Sequence, residues 1–388
     1  MILTINTGSS SIKISIYNQK SDNSDELFSK SYIINEINPS ELILDIKNKF
    51  NITLVCHRVV FGEVANKNKL SGIPKIQPHK LNEAIYLNIK EGVKDAPLHN
   101  KNAIDWINII KNNFDCENYI FFDSELFTHL PENSKIIPIN QGYLKLLNIK
   151  KNGFHGLAHQ QMRDYFAELK HQDNYKIITF QLGGGSSAAA FLNGYPIDTS
   201  MSYSPLDGLT MMTRPGSIDV GIILKILSHL IEQNIPADEI QTKLSNILNN
   251  QSGISAIFNR DILPDYTNAI SPKLSEISKG ADTLSKVIID FFASQIKKYI
   301  GQYAAILGGV DAILFSGGIS EHNPELIKKS LSNLDFLNIR TDNEHSIFNG
   351  SPLNIAREDS IPLLIVKCDE NLLMKNQLLK FLKENPNG

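Results

Sequence analysis

A chain of 388 residues with a net charge of −3 and a pI near 6.4 can bury two or three cores. It has no basic field of the kind that draws a protein to nucleic acid or an anionic membrane. Its three cysteines, Cys56, Cys116 and Cys368, are widely spaced, form no C-x-x-C pair, and give neither a disulfide framework nor a zinc site. With no apolar run of about 18 residues and no leader-like start, a cytoplasmic protein with a small-molecule partner, and neither nucleic acid nor membrane as partner, is expected.

In chain order, Ile2 to Asn18 (ILTINTGSSSIKISIYN) reads as strand, Gly/Ser turn, strand. Lys20 to Ser40 is polar and weakly patterned and reads as a surface excursion. Leu54 to Val60 is a buried-strand pattern interrupted by His57 and Arg58. A charge there needs a salt-bridge partner or an anionic ligand, while His57 reads as a core hydrogen-bonding residue. Leu81 to Lys94 has helical spacing, and Ala96 to Asn100 breaks it before a second helix through Ile110. Tyr119 to Phe122 is a short strand ending on Asp123, where carboxylates of α/β folds commonly face a ligand, with a helix cap or turn role equally open.

Gly153-Phe154-His155-Gly156 precedes a helix running from His159. Ile177 to Asn193 (IITFQLGGGSSAAAFLN) then repeats the opening hairpin: Thr4 matches Thr179, Gly8 matches Gly183, Ser11 matches Ser186 and Asn18 matches Asn193. An amide, Asn6 or Gln181, precedes each turn. Turns without β-carbons at Gly183, Gly184 and Gly185 expose N–H groups to a polyanion. A hairpin repeated a domain's length apart predicts a duplicated architecture with two phosphate-facing turns. Ser200 to Asp219 is a long Gly/Pro/Ser loop containing Arg214, and loops of that length are seldom idle.

Gly280 to Gly308 predicts one amphipathic helix with a glycine stop. Val310 to Ser320 is a strand opening into Gly317-Gly318 before a helix from about Pro324, a setting that suits a nucleotide although no Walker loop is present. Ile361 to Lys367 is a strand, followed by Asp369-Glu370 as helix cap or metal-facing carboxylate. Only six of the 38 lysines and arginines are arginine, so an arginine among motif residues marks a need for a planar bidentate donor.

Together these segments resemble the acetate kinase family of short-chain carboxylate kinases, within the sugar-kinase and actin superfamily. The resemblance covers Met1 to about Lys380 and rests on INTGSSSIK at 5–13, CHRVV at 56–60, APLHN at 96–100, FFD at 121–123, GFHG at 153–156, SPLDGL with TRPGSID through 219, and FSGGISEH at 315–322. It implies an α/β, duplicated two-domain ribonuclease H-like (actin-like ATPase) fold, with mixed sheets flanked by helices and the active site in the interdomain cleft. Residues 1–149 with 371–388 would form the first domain, and 150–370 a nucleotide-binding and dimerisation domain.

The resemblance further implies reversible phosphoryl transfer from ATP to acetate, or to propionate or another short-chain carboxylate, with Mg²⁺ (Mn²⁺ as alternative) and a homodimer. Arg58 and Arg214 would bind the carboxylate and neutralise charge, His155 would donate to the γ-phosphoryl oxygens, and Asp123 would position substrate, metal water or an arginine. Val60, Leu98, Phe154 and Pro205 would receive the methyl group. Ser9, Ser11, Lys13, Gln181, Gly183, Gly184, Gly185, Arg260, Gly317, Gly318, Ile319 and His322 would contact nucleotide, and Asn6 and Glu370 would orient the metal. The chain departs from the family pattern at Phe61-Gly62-Glu63, Gln181, Gly184, Phe258-Asn259 and Ser320-Glu321-His322. A nucleotide-binding protein that kept the fold without turnover is the competing class.

Overall fold

The computed structural model describes residues 1–8, 11–19, 26–62, 72–94, 97–170, 174–260, 273–280, 282–344, 346–350 and 352–386, leaving the side chains of Asn35, Pro97 and Leu98 outside the description. The chain divides into two units. Met1–His129, Phe154–Gln161 and Asp369–Gly388 form the first; Leu130–Gly153 and Met162–Cys368 form the second.

The first unit opens with an antiparallel meander of β1 (Ile2–Thr7), β2 (Ser11–Tyr17) and β3 (Glu26–Ile33). Helix α1 (Pro39–Lys49) follows, with Pro at its start and Asn38 accepting from the Ser40 and Glu41 N–H groups. Strand β4 (Leu54–Val59) lies parallel to β1. The short β5 (His79–Lys80), α2 (Glu83–Glu91) and α3 (Pro97–Asn113) lead to β6 (Glu117–Phe122), parallel to β4. Apolar residues of the sheet, Leu3, Ile5, Ile12, Ile14 and Ile16, pack on Ile43 and Ile46 of α1 and on Trp106 and Ile110 of α3. Burial of each such side chain stabilises by roughly 1.5–3 kcal/mol.

The second unit contains α4 (Gln141–Leu146), and α5 (Gly156–Lys170) ends there. A second meander follows, β7 (Lys176–Leu182), β8 (Ser186–Leu192) and β9 (Tyr195–Thr199). Then come α6 (Val220–Glu232), α7 (Ala237–Asn250), α8 (Gly253–Phe258), α9 (Leu274–Ile277) and α10 (Thr283–Leu307). Strand β10 (Ala312–Ser316) lies parallel to β7, and after α11 (Gly318–His322), α12 (Pro324–Leu331) and β11 (Leu353–Asn354), β12 (Leu363–Ile365) lies parallel to β10. Helix α13 (Glu370–Glu384) closes the chain in the first unit.

The duplication is visible in the strand orders, β3-β2-β1-β4-β6-β5 and β11-β12-β10-β7-β8-β9. Each sheet holds an antiparallel meander continued by two parallel strands, the ribonuclease H-like pattern. The expected long helix is α10. Asp282 accepts from Ser285 N at its start and Gly308, at φ 66°, ends it in the left-handed region. Its face of Ile288, Phe292, Ile296 and Ile300 packs on Ile178 and Phe180 of β7 and Phe315 of β10.

Two expectations need correction. The polar stretch after the first hairpin is not simply an excursion, because residues 26–33 form β3. As an edge strand with mostly exposed side chains it pairs through its backbone and shows no apolar alternation. The repeat also slips by one residue in the turn: Thr7 faces Ile12 across four residues, whereas Leu182 faces Ser186 across three. Ser186 is therefore the counterpart of Ile12, not of Ser11. Residues 130–149 belong to the second unit and 154–161 to the first, where Gly156 N donates to Asp123 O at 3.1 Å and Leu157 N to Asp123 Oδ1 at 3.0 Å.

Candidate active site

The C-terminal ends of β1, β4 and β6, where α/β folds hold ligands, carry Asn6, Arg58 and, one residue on, Asp123. Asn6 and Arg58 are register partners. Arg58 donates from Nη2 to Asp123 Oδ2 at 2.7 Å and from Nη1 to Asn6 Oδ1 at 3.1 Å. Asn6 Nδ2 donates to Glu370 Oε2 at 2.5 Å. Arg58 Nε stands 3.8 Å from that oxygen, beyond hydrogen-bond reach, and is a buried donor with no acceptor among the described residues. Asp369, just before Glu370, accepts from the Asn371 and Leu372 N–H groups and pairs with Lys13 at 3.2 Å. The two readings of this acidic pair thus divide between neighbours: Asp369 caps α13 and Glu370 faces Asn6 and Arg58.

Asp123 is 0% exposed and uses both oxygens inside the fold: His155 N shares Oδ2 with Arg58 at 2.8 Å, and Leu157 N takes Oδ1. It holds an arginine and at the same time supplies the anion that a helix N-terminus favours, here for α5. Gly156 makes that approach feasible: a Cβ there would lie 2.1 Å from Asp123 O. His155 sits at φ 59°, a conformation costing about 1–3 kcal/mol in a bulky residue and concentrated at functional sites. Burial would push the Asp123 carboxyl up, but the Arg58 charge, helped by His155, holds it below the usual range. Burial also opposes the Arg58 charge, yet Asp123 and Glu370 keep the guanidinium firmly protonated. For Glu370 burial wins, and with Asp123 nearby its carboxyl is raised above the ordinary value despite Arg58. His57 is buried, bonds Asn118 at 2.9 Å and is pushed down to about 4 by burial.

Other sequence-derived candidates in this unit are scattered in character. Val60 and Phe154 are buried, Ser11 is exposed and Lys13 is engaged by Asp369. Ser9 lies outside the described residues, as does the side chain of Leu98.

In the second unit, Gln181 at the end of β7 is the register partner of Ser316 on β10. Gly183 N donates to Gly185 O at 2.9 Å to close the turn, and Gly184 has open space where a Cβ would stand. Gln181 Oε1 and Ser186 Oγ are buried without a hydrogen-bond partner among the described residues. Gly317, at φ 91°, lies so close to β7 that a Cβ would meet Leu182 O at 2.4 Å, which sets the Gly317, Gly318 and Ile319 backbone beside the glycine turn. His322 lines a cavity of about 580 Å³ with Lys279, Pro324 and Phe348, but Arg260 and residues 317–319 do not line it. Arg260 is exposed after α8. Arg214 is buried and donates to the carbonyl of Pro205, also buried, at 3.4 Å, and burial lowers its pKa.

The model of the Acetokinase family matches residues 25–376. The chain belongs to the acetokinase family. Acetate kinase of Thermoanaerobacterium thermosaccharolyticum is 32% identical over 98% of this chain and 99% of that protein, and acetate kinase of Clostridium beijerinckii is 30% identical over 98% and 100%. Among solved structures, Porphyromonas gingivalis acetate kinase aligns with a TM-score of 0.78 at 25% identity, covering 98% of this chain and 99% of that one. A propionate kinase from Francisella tularensis aligns with a TM-score of 0.78 at 25% identity, covering 97% and 98%.

In this acetokinase-family chain the oxygens of Asn6 and Glu370 form a hard donor set suited to a divalent cation that keeps much of its water. Two carboxylates, Asp123 and Glu370, surround one guanidinium, and the Glu370 carboxyl is raised first by burial and then by the neighbouring Asp123. Among the described residues no group of three or more His, Cys, Asp and Glu side chains forms a closed metal cage. Two polar residues had no assigned role in the sequence: Ser186, whose counterpart in the first hairpin is the apolar Ile12, and Asn100, quoted within APLHN but given no task.

Proposed function

We propose that this acetokinase-family chain transfers the γ-phosphoryl group of ATP to a short-chain carboxylate, acetate first, giving an acyl phosphate and ADP. The observation that carries the reading is Arg58, a buried guanidinium fixed by Asp123 and Asn6 whose Nε–H meets no acceptor among the described residues. A carboxylate is already a nucleophile at pH 7, so no general base is needed. The obstacle is bringing two anions together, and a pre-positioned bidentate cation answers it. An acceptor oxygen attacks the γ-phosphorus in line, the bond to the ADP oxygen breaks as the new P–O bond forms, and no proton moves.

Arg214 is assigned a second charge-neutralising role and His155 donation to the γ-phosphoryl oxygens. Val60, Leu98, Phe154 and Pro205 receive the acyl chain. The glycine turns, with Gly317 to Ile319, Arg260 and His322, serve the nucleotide. Asn6 and Glu370 would hold Mg²⁺ or Mn²⁺, largely through water, and the bound ion neutralises phosphate charge. Exposed Val220, Ile222 and Leu224 on α6 support a homodimer, since apolar surface of this kind is commonly covered by a partner. The sparse, widely spaced cysteines, without a C-x-x-C pair, support a reducing, cytoplasmic setting.

A hydroxamate assay with ATP, Mg²⁺ and a series of acids tests the reading. Acyl phosphate from acetate is the expected result, and none from any acid refutes it. Propionate is the second reading, favoured by the equal structural likeness to a propionate kinase, and the same series ranks the two.

A further inference from the structure

Asn100, in the first turn of α3, takes no part in the chemistry above, yet it is 0% exposed. Its Oδ1 accepts from Phe61 N at 3.3 Å, and its Nδ2 donates to Phe61 O at 2.8 Å and to Ile89 O at 3.2 Å. The carboxamide therefore acts as a substitute strand partner two residues beyond the end of β4. Asp123 N holds the same stretch at Val59 O, 2.9 Å away. Val60 lies between these two clamps, buried, and as a β-branched residue it has restricted rotamer freedom. Pinning the backbone on both sides thus sets its side chain. Space for the clamp comes from Gly92, where a Cβ would lie 2.7 Å from Asn100 Nδ2 and 2.9 Å from Phe61 Cδ1. A Cβ on Gly62 would lie 2.0 Å from Phe122 Cε1, so the segment is packed against β6 as well.

We propose that Asn100 is a positioning residue for acceptor selection: by clamping the Phe61 backbone it fixes Val60, and so sets the length of carboxylic acid accepted beside Arg58. This rests on the carboxylate-kinase reading and deepens it. Asn100 acts through Val60 and touches no reacting atom.

The test compares kcat/KM for acetate, propionate and butyrate in the full chain and in Asn100→Ala. The ratio of acetate to propionate is expected to fall by about tenfold, within the range one methylene commands, while KM for ATP stays within about twofold. Loss of folding alone would depress turnover with every acid equally and leave the ratio unmoved. Gly92→Ala crowds the clamp while keeping the amide, and is expected to move the ratio as well. Val60→Ala should reproduce the shift, with Asn100→Ala adding little on top of it. Ratios within about twofold of wild type in the variants that fold overturn the proposal. Wild-type protein that phosphorylates no acid overturns the carboxylate-kinase reading itself.

Discussion

Asp123→Asn keeps the shape of the side chain and removes one charge. Three donors converge on the carboxylate: Arg58 Nη2 at 2.7 Å, His155 N at 2.8 Å and Leu157 N at 3.0 Å. An amide offers a single oxygen, so at least one donor would face an NH₂ group. At an effective dielectric constant of about 20, unit charges 2.7 Å apart attract by about 6 kcal/mol, and the remaining anion, Glu370 at 3.8 Å, by about 4 kcal/mol. Desolvation offsets much of the gross attraction, but breaking one side of a buried pair leaves an uncompensated charge and costs about 3–5 kcal/mol. Chemical denaturation at pH 7 is the assay, run as a double-mutant cycle with Arg58→Met. The double variant should be more stable than the summed single losses predict by about 2 kcal/mol or more. A single-variant loss under about 1 kcal/mol, or additivity within about 0.5 kcal/mol, would refute the claim that Asp123 exists to hold Arg58.

Arg58→Ala or Arg214→Ala should lower turnover by about 10³-fold or more, as loss of a transition-state arginine does; losses below about tenfold in both, read by initial rates, would mean the roles are misassigned. His57 has an ordinary value of 6.5 and a folded value of about 4, so its contribution is present above pH 6.5 and lost as pH falls towards 4. At about 1.4 kcal/mol per unit this amounts to about 3 kcal/mol, and His159, lowered to about 3, acts in the same sense. His57→Gln should therefore lower the slope of a stability–pH series between about pH 6.5 and 4, and an unchanged slope would exclude His57 as a source. Ile222→Glu with Leu224→Lys on α6 should shift sedimentation towards monomer with little change in thermal midpoint, and an unaltered sedimentation coefficient would remove α6 from the interface.

Periodic features were readable in the sequence because their cause is local. The α10 stripe, its Gly308 stop, and the β4 run containing Arg58 all declare themselves through side-chain pattern. Strand β3 did not, since an edge strand exposed on both faces has nothing to alternate. Nor did the return of residues 154–161 to the first unit, which depends on Asp123 binding the Gly156 and Leu157 N–H groups, a contact between segments more than thirty residues apart. Asp123 was legible as a carboxylate past a strand end, but its saturation by three donors was not. Asn100 shows the same limit, because an amide that clamps a distant backbone leaves no periodic trace.

The one-residue difference between the two glycine turns has a consequence for anyone recombining the halves of this chain. Successive side chains of a strand point to opposite faces, so a slip of one inverts inside and outside along everything that follows. A graft aligned on the first strands, Thr4 onto Thr179, is sound up to Leu182, where it must drop one residue to pair Ile12 with Ser186 and Ile14 with Ala188. Those pairings also replace large side chains by small ones on the face that meets α10. The ancestral symmetry survives in the hydrogen-bond ladder while the spacing of the letters has drifted, so a shuffled hairpin should be indexed by its ladder rather than by counting residues.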